Sequence, residues 1–294
     1  MTLRSLLHVC GFVLVSAVAA RAQVAATLTL SKNQYVAGEL VQATVSITNH
    51  SGQDLVYVGS TRQPWLDFVI KRGGAGEPAI PFGSFNFGSI RIPAGQTMAR
   101  QVNLSSAFNL AEQGNYSVYG VIHSAGEGAT GGTSTNRLLF SVSSGRAYWS
   151  QKVGVKGDAS KVREFRVLNY SGDQKNLLYV QVLNDRTGMP IRTYPLGDAL
   201  MFRKPQITVD RNQNLHVFFL SSPTIWTHCA VDTEGKLVHS EFFTRGAGGD
   251  PVLLTQQNGM VSVGNGVLYD PKAIEAEKNR ARKASDRPII TSQY

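Results

Sequence analysis

Residues 205–217 read PQITVDRNQNLHV, and residues 251–263 read PVLLTQQNGMVSV. The two align without a gap at an offset of 46: Pro205 meets Pro251, Ile207 meets Leu253, Asn212 meets Asn258, Leu215 meets Val261 and Val217 meets Val263. A looser copy precedes them at 165–182, FRVLNYSGDQKNLLYVQV, and NDRTGMPI (184–191) is echoed by VDTEGKLV (231–238). Each copy is an alternating run, a Gly/Asn/Asp turn and a second alternating run, the pattern of paired strands. Asp210, Asn212 and Asn214 also begin like a D-x-N-x-N calcium loop. Such a loop needs Gly at its sixth position and a bidentate acid at its twelfth. Here those positions hold Leu215 and Ser221, and the second copy has Gln256, Asn258 and Met260 in place of the first three oxygen donors. The stretch therefore reads as a chain reversal, in which Asp and Asn tolerate left-handed conformations and bond to their own backbone.

Repeats of roughly 45 residues made of strands and Gly/Asn turns characterise β-propeller blades. The pattern P-x-I-x-V-D-x-N-x-N-L-H-V is similar to blades of bacterial propellers. Two copies and a partial third fall short of the about four blades a closed ring needs. The resemblance implies a C-terminal antiparallel meander of propeller-blade-like repeats over residues 150–271, and no catalytic residue comes with it.

The first half alternates too. LTLS, VQATVSITN, LVYVG, LDFVIKR, SIRIPAG, ARQVNLS, YSVYGVIH and RLLFSVS all read as strands, with turn residues between them and no helical period. Seven or eight short strands in about 120 residues is the signature of a β-sandwich. YVAGE (35–39), VSITNHS (45–51), LDFVI (66–70), PAGQ (93–96) and GNYSV (114–118) resemble bacterial secreted Ig-like modules, including those of small proteinase-inhibitor domains. The resemblance covers about residues 26–142. It implies an N-terminal Ig-like antiparallel β-sandwich, 24–143, with Tyr116 as the corner tyrosine whose hydroxyl ties back to upstream backbone. It carries over no inhibitory residue.

The chain has 294 residues, 42% hydrophobic and 17% charged, enough apolar content for packed cores. Residues 1–22 read as an export signal: Arg4, then the apolar LLHVCGFVLVSAVAA, then the small-residue site Ala20-Arg21-Ala22. The apolar stretch is short for a bilayer, which takes about 20 residues, and no later segment is long enough, so no transmembrane span is expected after its removal. Loss of Arg4 and Arg21 would leave 27 basic and 20 acidic residues. The tail 272–294 is charged, with six Lys/Arg against Glu275, Glu277 and Asp286, and reads as a frayed helix or a disordered extension. A thinly spread positive charge suits polyanionic surfaces. An exported chain without a groove-reading motif is a poor nucleic-acid binder.

Cys229, within WTHCAV, is the one cysteine after residue 22, so the fold depends on no internal disulfide and this thiol reads as buried and inert. His216, His228 and His239 lie on three successive strand-like runs. Their spacing lacks the short intervals of strong zinc motifs, and alternation with apolar neighbours places them on a polar face, exposed or partly covered. No metal ligand and no cofactor is expected on this reading. Asp185, Asp210, Asp232 and Asp270 each fall in turns, and no nucleophile, zinc or phosphate-loop motif occurs. IPFGSFNFGSI (80–90) sets Phe82, Phe85 and Phe87 among glycines and serines, with Trp65 nearby. These aromatics either fold back onto the sandwich or form an exposed strip for a partner.

The sequence thus points to an exported, periplasmic or extracellular, all-β, non-catalytic binding or scaffold protein whose partner is a protein or polysaccharide. The alternatives are a proteinase inhibitor acting through the Ig-like half and an accessory domain or subunit of a secreted hydrolase.

Overall fold

The computed structural model describes residues 24–60, 63–73, 76–123, 132–171 and 175–270. The expected export signal (1–22), the charged tail (272–294) and most of the Gly/Ser/Thr-rich loop 124–136 lie outside them. The described chain is all-β: its elements are strands apart from one 3-10 turn, Leu104–Ser106. No helix among the described residues is long and apolar enough to cross a membrane. The chain divides into two compact units, the first holding residues up to Tyr35 and 40–142, the second holding 36–39 and the residues from Ser143 onward.

The first unit contains β1 (Val24–Leu30), β2 (Gln34–Val36), β3 (Gln42–Asn49), β4 (Leu55–Tyr57), β5 (Leu66–Arg72), β6 (Glu77–Pro78), β7 (Ile90–Ile92), β8 (Thr97–Asn103), β9 (Gly114–Ile122), β10 (Thr133–Ser134) and β11 (Leu138–Ser143). They form a three-stranded sheet, β1-β3-β8, a larger sheet, β2-β11-β9-β5-β6 with β10 on β9, and the pair β4-β7. Burial follows the period of two that the sequence shows. Ala43, Val45 and Ile47 of β3, Leu66, Phe68 and Ile70 of β5, and Tyr116, Val118 and Ile122 of β9 are all buried, while the strand residues between these alternating positions are not. Asn49, at the end of β3, is fully buried yet satisfied: its amide donates to the Gln53 and Ile92 carbonyls at 2.8 and 2.9 Å, and its oxygen accepts from the Ser51 amide and hydroxyl.

The second unit contains β12 (Arg146–Val155), β13 (Asp158–Ser171), β14 (Asn176–Asn184), β15 (Pro190–Asp198), β16 (Gln206–Val209), β17 (Leu215–Ser222), β18 (Ile225–Val231), β19 (Leu237–Arg245), β20 (Val252–Thr255), β21 (Val261–Gly264) and β22 (Gly266–Leu268). β12-β13-β14-β15 is one four-stranded antiparallel meander and β16-β17-β18-β19 a second, with β22 added at its edge. β20-β21 is a third, two-stranded piece. The meander begins earlier than the expected residue 150: β12 starts at Arg146. That strand is mostly exposed, and its apolar face starts only at Trp149, which with Val153 packs on the core.

The 46-residue repeat is exact in geometry. Gln206 pairs with Phe218 and Val209 with Leu215; 46 positions on, Val252 pairs with Gly264 and Thr255 with Val261. The turns match as well. Asp210 N donates to Asn214 O and Gln213 N to Asp210 O, both at 3.0 Å; Gln256 N donates to Met260 O and Gly259 N to Gln256 O, at 2.8 and 2.9 Å. The residue that takes the left-handed conformation is Gln213 (φ 66°), matched by Gly259 (φ 79°), and not an Asp or Asn as the turn chemistry suggests. Asp210 instead caps the turn with its carboxylate, accepting from the Asn214 amide at 2.8 Å, and so fixes a conformation that Gln213 must adopt.

The second meander is covered on both faces. Leu215, Val217 and Phe219 of β17 and Cys229 and Val231 of β18 pack with Phe165, Val167, Leu178, Val180 and Val182 of the first meander. The alternate residues Phe218, Leu220 and Trp226 pack with Leu253 and Val263 of the β20-β21 hairpin. Each such fully buried Val, Leu or Phe contributes about 1.5–3 kcal/mol relative to exposure. Burial pushes the Cys229 thiol up to about 11, so the thiol stays protonated and inert.

A Cβ at Gly259 would stand 3.0 Å from Arg211 Cβ in addition to the left-handed strain, whereas one at Gly52 meets nothing. Gly259→Ala is expected to lower unfolding free energy by about 1–2 kcal/mol and Gly52→Ala by much less, measured by chemical denaturation.

Candidate functional site

Antiparallel register gathers the three histidines. On β17, β18 and β19, His216 pairs with Ala230 and Ala230 with His239, which places His216, Ala230 and His239 in one cross-strand row; Thr208 of β16 continues it beyond His216. His228 stands two residues along β18, in the row Gln206, Phe218, His228, Glu241. Residues two apart on a strand share a face, so the three imidazoles project to the same side. Ala230 is small enough for the rings on either side to lean over it. The ring centroids of His216 and His228 are 5.2 Å apart, of His228 and His239 4.9 Å, and of His216 and His239 6.0 Å. One ring nitrogen or another from each lies within 4.8 Å of the others.

The expected exposed or partly covered face is corrected for His216 and His228, which are 4% and 3% exposed, whereas His239 is partly buried. Alternation along a single strand shows that the histidines and Val217 face opposite ways. It does not show that the next hairpin covers the second face as the first meander covers the other. The contact between repeats is direct: Arg211 N donates to Gly259 O at 2.9 Å, from the first turn to its copy.

The surroundings set the histidines' protonation. His216 Nδ1 is 3.0 Å from His228 Nε2, and His216 Nε2 is 3.3 Å from Asp210 Oδ2. His228 Nδ1 faces Glu241 Oε2 at 4.0 Å. His239 Nε2 is buried with no hydrogen-bond partner among the described residues, an arrangement that costs about 1–3 kcal/mol if nothing satisfies it. Burial pushes the His228 imidazole down to about 3, with His216 and His239 adding to the shift, so it is neutral at ordinary pH. Burial also lowers the His216 pKa, against the pull of Asp210. For Asp210 itself burial acts upward, but its bonds from Asn214 and His216 outweigh that and hold the carboxyl below its usual range.

The calcium-like triplet is not a cation cage. Asp210 Oδ1 and Oδ2 are taken by the Asn214 backbone and side-chain amides at 2.8 and 3.0 Å. Asn212 Oδ1 is 3.5 Å from the Lys156 ammonium, a cation itself.

The four aromatic candidates divide. Trp65 is 2% exposed, donates its indole N–H to Gly88 O at 2.9 Å and packs on Tyr57 and Phe87, so it presents no ring face to a partner. Phe85 stacks on Phe87 with centroids 5.6 Å apart and also meets Phe68 and Phe108. Phe82 is 68% exposed, and Ile80, which the sequence reading passed over, is 84% exposed. The backbone beneath them is held: Phe82 N donates to Ala107 O at 2.9 Å, and Pro81 bridges Phe108.

A separate cavity of about 670 Å³ opens on the first unit beside Tyr116, with Lys71, Asn115 and Arg137 in its lining. Tyr116 is buried and its hydroxyl donates to Glu112 O at 2.7 Å, the backward tie expected of it.

No protein-family model matches the chain, and no curated protein is similar to it. Among solved structures the chain is similar to Spo0M, a sporulation control protein from Bacillus subtilis, at 10% identity over 90% of this chain and 97% of that one, with a TM-score of 0.28. So low a score assigns neither fold nor function.

Asp210→Ala removes both caps of the turn and the His216 contact and is expected to cost about 2–3 kcal/mol of unfolding free energy. Millimolar calcium should leave the melting temperature of the unaltered protein unchanged.

Proposed function

We propose that the protein is an exported, non-catalytic binding or scaffold protein of the cell envelope or exterior, and that its partner is a protein which takes up the Ile80–Phe82 surface. The observation that carries this reading is the exposure of two large apolar side chains on a loop whose backbone is already fixed. Ile80 and Phe82 are 84% and 68% exposed, while Phe85 and Phe87 anchor the following residues to Trp65, Phe68 and Phe108. A contact loop ordered before binding loses little entropy when a partner docks. Burial of Trp65 takes away the flat face that sugar stacking needs, and this favours a protein over a polysaccharide.

The first unit as an Ig-like sandwich belongs to the same proposal. The sheets β1-β3-β8 and β2-β11-β9-β5 and the Tyr116–Glu112 tie support it. Inhibition of a proteinase through this unit is the second reading, and the fixed backbone of the 80–83 loop favours it, since a protease would need to meet a rigid loop.

Ile80→Ser/Phe82→Ser is expected to weaken partner binding at least about tenfold in a calorimetric or surface-immobilised assay of envelope proteins, with stability changed by no more than about 0.5 kcal/mol. Retained affinity in the folded double variant refutes the surface. Stoichiometric slowing of one serine, cysteine or metalloprotease, lost in the same variant, would single out the inhibitor reading.

A further inference from the structure

We propose that His216, His228 and His239 form a binding site for a divalent transition-metal ion, with zinc the metal that this donor set suits. The site goes beyond the binding surface on the first unit and does not depend on it.

The argument begins with the direction of the ring nitrogens. His216 turns Nε2 toward the Asp210 carboxylate at 3.3 Å, and His228 turns Nδ1 toward Glu241 at 4.0 Å. The Asp210 carboxylate draws the proton to the nitrogen it faces, so the neutral His216 ring keeps its lone pair on Nδ1. That nitrogen faces His228 Nε2 at 3.0 Å, while Glu241 stands beyond hydrogen-bond reach of His228 Nδ1. A proton between the two rings satisfies this pair, but it leaves the buried His239 Nε2 without a partner among the described residues. One metal ion serves all three nitrogens.

The dimensions agree. Zinc–imidazole bonds of about 2.0–2.1 Å in a tetrahedron set ligand nitrogens about 3.3 Å apart. One nitrogen of each ring lies within 4.8 Å of one nitrogen of each of the others, so side-chain rotation of the order of 1–2 Å brings three donors to that spacing. Three neutral donors leave the ion's double charge uncompensated, and Asp210 and Glu241 stand behind two of the rings to offset it. Calcium and magnesium are excluded by the nitrogen donors, since both demand oxygen. The fourth coordination position is left for water or an external ligand.

The test uses the purified full chain after treatment with a chelator. Cobalt(II) should bind at one equivalent and give the visible ligand-field bands of a tetrahedral site. Zinc at about 100 times its Kd should raise the melting temperature by about 5–10 °C. Both effects should vanish in His239→Gln, which leaves the more deeply buried pair in place, and persist in the exposed control His50→Gln. X-ray absorption of the zinc form should count three imidazole nitrogens, a readout that requires no variant to fold. Absence of cobalt bands and of a zinc-dependent shift overturns the proposal. So does a folded His239→Gln that keeps both, or a zinc spectrum with fewer than three imidazoles.

Discussion

The second unit depends on β17 and β18 being buried on both faces. One face meets Phe165, Val180 and Val182 of the first meander, and the other meets Leu253 and Val263 of the third hairpin. Strands in such a position cannot leave polar groups to solvent, so whatever stands there must find a partner within the protein. Most positions comply by being apolar. His216, Thr227 and His228 do not, and each has a polar contact: His216 with Asp210 and His228, Thr227 with the Ser221 hydroxyl at 2.8 Å. The burial of the histidine cluster is a consequence of stacking repeats, because a lone meander would have left the same residues wet.

The repeat does more than build layers. Its turns form the contact between successive copies, through Arg211 N to Gly259 O and Asn212 to Met260. Asp210 connects the two roles. Its carboxylate caps the turn that sets the register of β16 and β17, and the same group holds the imidazole of His216. A residue that at first suggests a calcium ligand is thus a turn cap that also orients a nitrogen donor.

The strand cores of the first unit follow alternation, with Asn49 a buried polar residue whose hydrogen bonds are satisfied, and its distinctive surface is a short loop in which two phenylalanines anchor and one is presented. The anchors are Phe85 and Phe87, held on Trp65, Phe68 and Phe108. Composition alone cannot assign those roles, because the three phenylalanines stand in nearly identical Gly/Ser surroundings.

By itself the sequence determined the all-β character, most of the strands and the 46-residue repeat, while the tie from Tyr116 to upstream backbone was implied only by the Ig-like resemblance. The first three follow from local rules: a period of two, turn residues and loop spacing act over a few residues at a time. Tertiary structure alone decided that Gln213 takes the left-handed position, that residues 36–39 belong to the second unit, that Trp65 is hidden, and that His216, His228 and His239 converge. The histidines are 12 and 11 residues apart along the chain, too far for a motif, and they meet because antiparallel register folds that distance into adjacent strands. Which face of a strand is wet depends on what stacks upon it, and that is a property of the assembled layers, not of any one strand's sequence.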